Sequence, residues 1–466
     1  MQSSPQNLLL LLQHFLSHVK QVKQIHCHLT TAAHLRCTTE WANTLLYNTL
    51  IRAYLGFAQP TTTLILFTHM LAHQAPPNSH TFPSLTKAVS LLQTNWTPLL
   101  SRPLHAQALK RGASSDPFVQ TSFLGMYSLL GELGSACKVF DEVPEPCVVA
   151  YNAMLDACGK NGNMGLAVIT FSTMQERDIC SWTSMINGYA INECFEEAVK
   201  FFKKMMSHDD VIAGSLKPNE ATFVIVLSSC ASIDNTSTLY QGKQVHGYMV
   251  KNVELSKFMA TALISFYGRL GCLNYAKKVF DSLKVKEVCT WNAMISAFAM
   301  NSRDEQALDT YETMKSKGTK PNEVTLVAVL SACAHAKLVE FGLEVFDAMS
   351  GELKVEPKME HYGCIVDLLG RAGLVKEAYE FVKRMPFEAD ASVLGALLGA
   401  CKVHGQVEMG NEVGKLLLNL QPKKCARYVL LSSIYAGAER WDHAAALRRE
   451  MVDARIEKVP AYSVIH

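Results

Sequence analysis

Fourteen cysteines and sixteen histidines are the side chains of this 466-residue chain best suited to metal binding or nucleophilic chemistry. Their spacing argues against both. No Cys-x-x-Cys pair and no His-x-Glu triplet occurs, so the ligand spacing of a zinc site is missing. There is no glycine-rich phosphate loop and no nucleophile motif, so no catalytic residue, metal ligand or cofactor is assigned. Cys158, Cys230 and Cys333 instead each follow Asn152, Val224 and Val327 by six residues. A thiol that recurs in one helical register is a small buried packing residue. So many unpaired thiols also fit a reducing compartment rather than secretion.

Formal net charge is +2, with 44 lysines and arginines against 42 acids. A polyanion could therefore be held only by locally placed groups, not by bulk basicity. The longest leucine block, Leu8 to Leu12, runs straight into Gln13 and His14. That excludes an ordinary transmembrane helix, and no membrane partner is expected.

The elements that must position any functional side chain repeat along the sequence. Tyr47-Asn48-Thr49-Leu50-Ile51, Tyr151-Asn152-Ala153-Met154-Leu155, Trp182-Thr183-Ser184-Met185-Ile186 and Trp291-Asn292-Ala293-Met294-Ile295 share one pattern, which opens a first helix. A second pattern follows, with a small residue, an aromatic four on and an apolar residue three beyond that. Ala167, Phe171 and Met174 show it, as do Ala198, Phe202 and Met205, and Gly342, Phe346 and Met349. These are spacings of one helix face. Turns such as Asn161-Gly162-Asn163 divide the two helices, and Lys-Pro-Asn at 217–219 and 320–322 ends the unit, since proline stops a helix. One such hairpin cannot bury its apolar stripes alone, so neighbours must stack.

Taking the residue after the aromatic as position five, the marks fall at Asn48, Pro83, Thr121, Asn152, Thr183, Val224, Thr261, Asn292, Val327 and Cys364, at intervals of 31 to 41 residues. About ten repeats then fill residues 44–390. The longest interval contains the polar stretch Ser207 to Ser215, read as a loop insertion.

These residues resemble the pentatricopeptide-repeat family, and within it the plant branch in which P, L and S repeats alternate. Lys-Val-Phe-Asp at 138–141 and 278–281 looks like the S type, and Thr325-Leu326-Val327-Ala328-Val329-Leu330-Ser331-Ala332-Cys333 like the L type. His361-Tyr362 and Leu368-Leu369-Gly370-Arg371-Ala372-Gly373 resemble the closing S repeat of such arrays. Residues 391–466, with Gly395-Ala396-Leu397-Leu398 and Tyr428-Val429-Leu430-Leu431, look like the family's C-terminal E extension. Some relatives continue into a deaminase-like DYW domain, whose His-x-Glu and Cys-x-x-Cys this sequence lacks. The resemblance implies an all-α, right-handed superhelical solenoid of helix-turn-helix repeats.

It also implies single-stranded RNA binding, one nucleotide per repeat, each base read between position five and the last residue of the repeat. Carried over, Asn48 with Asn78 and Asn292 with Asn322 read pyrimidines, Asn152 with Asp178 reads uracil, and Thr183 with Asn219 reads adenine. Their order along the chain spells 5′-YNNUANNY-3′. The remaining pairs depart from the code and are expected to space the strand: Pro83 with Asp116, Thr121 with Cys147, Val224 with Ser256, Thr261 with Glu287, Val327 near Met359, and Cys364 with Asp390. Read singly, each asparagine also fits a helix N-cap.

The leading functional expectation is a site-recognition factor for C-to-U editing that recruits a deaminase in trans through the E extension. Stabilisation or processing of an organellar transcript is the alternative. A tetratricopeptide-like protein-binding scaffold is the alternative of another class. Residues 1–43 read as a targeting peptide or a degenerate repeat. The first 39 residues hold Lys20, Lys23 and Arg36 without an acid, which favours a presequence. Lys23-Gln24-Ile25-His26, however, matches the repeat segment Lys243-Gln244-Val245-His246. The mitochondrion is preferred to the chloroplast.

Overall fold

The computed structural model describes residues 5–31, 40–92, 97–143, 145–207, 216–233 and 237–457. The polar insertion at 208–215 and the basic Arg36 lie outside them. The described residues form 26 α-helices and one short 3-10 turn, with no strand among them. The chain falls into two compact units, Met1–Ile233 and Asp234–His466.

Within each unit the helices alternate as the two sequence patterns require. In the first, Val148–Lys160 packs between the first helices of its neighbours, Pro117–Leu129 and Ile179–Ile191, while Met164–Thr173 lies against its own partner. The second unit repeats this with Lys257–Arg269 against Val288–Met300 and Met359–Arg371 against Ala391–Val403. The small residues of the second helices, Ala136, Ala167, Ala198, Ala276 and Ala307, are completely buried. The aromatic four residues on meets the first-helix aromatic of the next repeat edge-on: Phe171 with Trp182 and Phe280 with Trp291 at 4.9 Å, Phe140 with Tyr151 and Phe346 with Tyr362 at 5.1 Å. Such pairs add about 0.5–1.5 kcal/mol to the burial itself. Cys158, Cys230 and Cys333 are fully buried, as their register required, and burial pushes their thiols up to about 12, 11 and 12.

Three second helices carry histidine where others carry the aromatic. His26, His105 and His246 reach Tyr54, Tyr127 and Tyr267 at 3.0, 3.4 and 2.9 Å. Four before and three after each histidine the side chains are buried, with Val22 and Leu29 standing where the third helix has Gly242 and Met249. The helix Val19–Thr31 thus packs like a repeat helix, in line with the match between Lys23-Gln24-Ile25-His26 and Lys243-Gln244-Val245-His246.

Adjacent first helices approach closely at small residues. A Cβ on Gly159 would meet the Gly188 Cα at 2.9 Å, and one on Gly370 the Ala400 Cβ at 2.7 Å. Beside these contacts an asparagine at the helix end ties neighbours together. Asn192 Nδ2 donates to Gly188 O of its own helix at 2.7 Å and to Gly159 O of the previous one at 2.8 Å. Asn301 does the same with Ala297 O and Gly268 O, at 2.7 and 2.8 Å. This repeated two-way bond gives carbonyls near a helix end an additional donor and ties one first helix to the next.

Candidate nucleic-acid interface

From Thr121 to Val327 position five is the fifth residue of its first helix, on the second turn, while Asn48 is the ninth residue of Glu40–Gly56 and Pro83 the second of Phe82–Leu91; the last residue of a repeat stands ahead of the next first helix. Asp178, Asn219 and Asn322 are N-caps whose side-chain oxygens accept from Ser181 N, Thr222 N and Thr325 N at 2.8, 2.9 and 3.1 Å. Asn78 stands at the turn ahead of Phe82–Leu91 and accepts from His80 N at 3.2 Å. Asn48, Asn152 and Asn292 lie inside helices, so the N-cap reading fits the terminal asparagines and not these. Their neighbours are the terminal residues. Asn48 Nδ2 donates to Asn78 Oδ1 at 3.0 Å, Asn152 Nδ2 to Asp178 Oδ1 at 3.0 Å and Asn292 Nδ2 to Asn322 Oδ1 at 2.9 Å.

The fourth pair is bridged. Thr183 Oγ1 lies 2.8 Å from Thr222 Oγ1, which donates to Asn219 Oδ1 at 2.9 Å. Sequence reasoning missed Thr222 and its equivalents Thr81, Ser181 and Thr325, each three residues beyond a terminal residue and each fully buried. Thr81, Ser181 and Thr325 donate to Asn48, Asn152 and Asn292 Oδ1 at 2.7, 2.7 and 2.6 Å. The visible signal was the cap spacing itself, Asn/Asp-x-x-Ser/Thr. Burial acts to raise the Asp178 carboxyl, but the bonds from Ser181 N, Asn152 and the Ser181 hydroxyl outweigh it and hold the pKa below the usual carboxylate range. An ionised carboxylate only accepts, so the atom Asn152 turns to it must be Nδ2.

The pairs outside the code have no such arrangement. Thr121 and Thr261 donate to their own helix carbonyls, Phe118 O at 3.1 Å and Lys257 O at 2.8 Å. Glu287 is drawn to Lys257 Nζ at 2.9 Å. Asp116, Ser256 and Asp390 cap their own helices. Two register marks shift. The helix Met359–Arg371 places Gly363 fifth rather than Cys364, and the N-cap beyond Val327 is Lys358 rather than Met359. Gly363 directly follows the aromatic Tyr362, so the rule that sets the other marks also points to Gly363. Lys358 Nζ pairs with Glu323 Oε2 at 2.5 Å.

One turn before position five, apolar residues stand in solvent: Phe118 is 78% exposed, Val149 61%, Phe258 52% and Val324 56%. In the first unit Phe118 joins Trp41, Asn48, Asn78 and Pro83 around a cavity of about 680 Å³. A planar base would cover such surfaces, with stacking on aromatics contributing about 1–3 kcal/mol per base.

The family comparisons follow the same register. The PPR repeat family matches residues 177–232 and 286–335, and the PPR repeat matches 149–179, 258–288, 324–352 and 360–388. A pentatricopeptide repeat-containing protein of Arabidopsis thaliana is 48% identical over 99% of this chain and 97% of its own length. This chain belongs to the pentatricopeptide repeat family. The E motif matches 404–466, and with the P, L and S alternation it places this pentatricopeptide repeat protein in the E subgroup of that branch. The family is one of binding repeats rather than enzymes. A second Arabidopsis relative is 33% identical over 96% of this chain and 90% of its own. A third, named as chloroplastic, is 36% identical over 78% of this chain and 38% of its own, and a fourth, named as mitochondrial, is 34% identical over 75% and 74%. A crystal structure of the pentatricopeptide repeat protein PPR10 with an 18-nt RNA element aligns with a TM-score of 0.46 at 17% identity, covering 98% of this chain and 75% of that one.

Proposed function

We propose that this protein binds single-stranded organellar RNA, one base per repeat, and selects a cytidine for C-to-U editing by a deaminase recruited in trans. In this reading residues 44–390 hold the reading array, residues 391–466 recruit the partner, and residues 1–43 combine a degenerate repeat with targeting. The observation that carries it is a coincidence of code and geometry. Among the described residues only Asn48, Asn152, Thr183 and Asn292 have a terminal Asn or Asp joined to them, directly or through one hydroxyl. An organellar address follows the family, with the mitochondrion preferred.

Selection of binders from a randomised single-stranded RNA pool by the full chain tests the reading. Enrichment of 5′-YNNUANNY-3′ is expected. Retention of RNA without base preference at the four places would refute base reading, and no retention would refute RNA binding.

A further inference from the structure

We propose that the buried hydroxyls of Thr81, Ser181 and Thr325 are positioning residues that hold the position-five asparagine with a donor turned toward its base. The inference rests on the base-reading proposal above and extends it to residues that no base touches.

In the three asparagine repeats the hydroxyl oxygen accepts from the backbone N–H of the terminal residue: Asn78 to Thr81 at 3.0 Å, Asp178 to Ser181 at 3.2 Å and Asn322 to Thr325 at 3.0 Å. Its single hydrogen faces Oδ1 of Asn48, Asn152 or Asn292 at 2.6–2.7 Å, the shorter of two contacts, the other being Oδ1 of the terminal residue at 2.9–3.2 Å. One Nδ2 hydrogen of each asparagine is spent on the terminal residue. A flipped amide would lose the hydroxyl's hydrogen from its oxygen and set that oxygen against Oδ1 of the terminal residue. The second Nδ2 hydrogen is therefore the fixed donor left for a ligand, and it suits a pyrimidine carbonyl oxygen.

The threonine repeat keeps the buried hydroxyl without an amide to orient: Thr222 Oγ1 lies 2.9 Å from Asn219 Oδ1 and 2.8 Å from Thr183 Oγ1, where either hydroxyl can donate. The repeats outside the code lack this hydroxyl or turn it away. Ala150, Met259, Val119 and Val393 stand in its place, and Thr290 donates back to Glu287 O at 2.7 Å.

The test compares full-length variants for binding to synthetic RNAs that carry the 5′-YNNUANNY-3′ pattern with each base in turn at the Asn292 place. Thr325→Val is expected to cut the pyrimidine preference there roughly tenfold, while Thr325→Ser keeps it. Thr290→Val removes a comparable buried hydroxyl without touching a reader and is expected to leave every preference unchanged. A gain of function avoids any loss of fold: Thr121→Asn with Cys147→Asp is expected to add a pyrimidine preference only when Ala150→Ser is also present. An unchanged preference in Thr325→Val, or a gain without Ala150→Ser, would overturn the positioning role. Asn292→Ala separates the two levels. If it keeps the pyrimidine preference, base reading itself fails; if it loses the preference while Thr325→Val keeps it, only the positioning role fails.

Discussion

At the scale of single residues, burial separates a set of enclosed cysteines from a set of exposed ones, with Cys137, Cys272, Cys289, Cys364 and Cys425 between them. Cys158, Cys230, Cys333 and Cys401 are inaccessible, and desolvation raises each thiol to about 11 or 12, far above neutral pH. Cys27, Cys147, Cys180 and Cys194 are exposed. Thiolate is the reactive species, so a maleimide pulse on the native protein at neutral pH is expected to label the second set and to reach the first only after unfolding. Mass spectrometry of the labelled peptides reads this directly. Labelling of Cys333 in the folded chain would contradict its place in the core. The register of three of these thiols was legible because a small residue at a fixed helical offset has one common cause. The hydroxyls beside the readers were not, because Thr81 and Thr325 read as ordinary cap residues until the asparagine across the groove is known to face them.

At the scale of elements, the hairpin turns show what the sequence pattern determines and what it leaves free. Gly162 and Gly271 adopt φ of +74° and +70°, while Glu193 and Ser302 take the same left-handed turn with φ of +59° and +54°. A side chain there costs about 1 kcal/mol or more. Glu193→Gly and Ser302→Gly are each expected to stabilise the protein by about 1 kcal/mol, read as a higher midpoint in urea. No change would mean that the turn is not strained. Helix existence and pairing were legible from the recurrent aromatics, alanines and Lys-Pro-Asn ends. The close approach of Gly159 to Gly188 was not, because it joins first helices of different repeats and leaves no mark within one.

On the scale of the whole molecule, the four proposed readers divided among about ten repeats would give limited discrimination, about 1–3 kcal/mol for each base contact. Net charge of +2 adds little sequence-independent attraction, so affinity is expected to fall only shallowly with added salt compared with a strongly basic RNA-binding protein. Selection of one transcript must then draw on stacking at Phe118, Val149, Phe258 and Val324 and on whatever the C-terminal helices engage. The order of the proposed readers depends only on repeat count, which the one-residue slip at Gly363 does not alter. Deep sequencing of organellar transcripts from plants with and without this protein tests the proposed function most directly. One or a few cytidines are expected to lose conversion, each preceded by 5′-YNNUANNY-3′ with the final repeat about four nucleotides upstream of the edited base. Unchanged conversion at every cytidine, with a transcript end or abundance altered instead, would contradict the editing role and favour transcript stabilisation or processing.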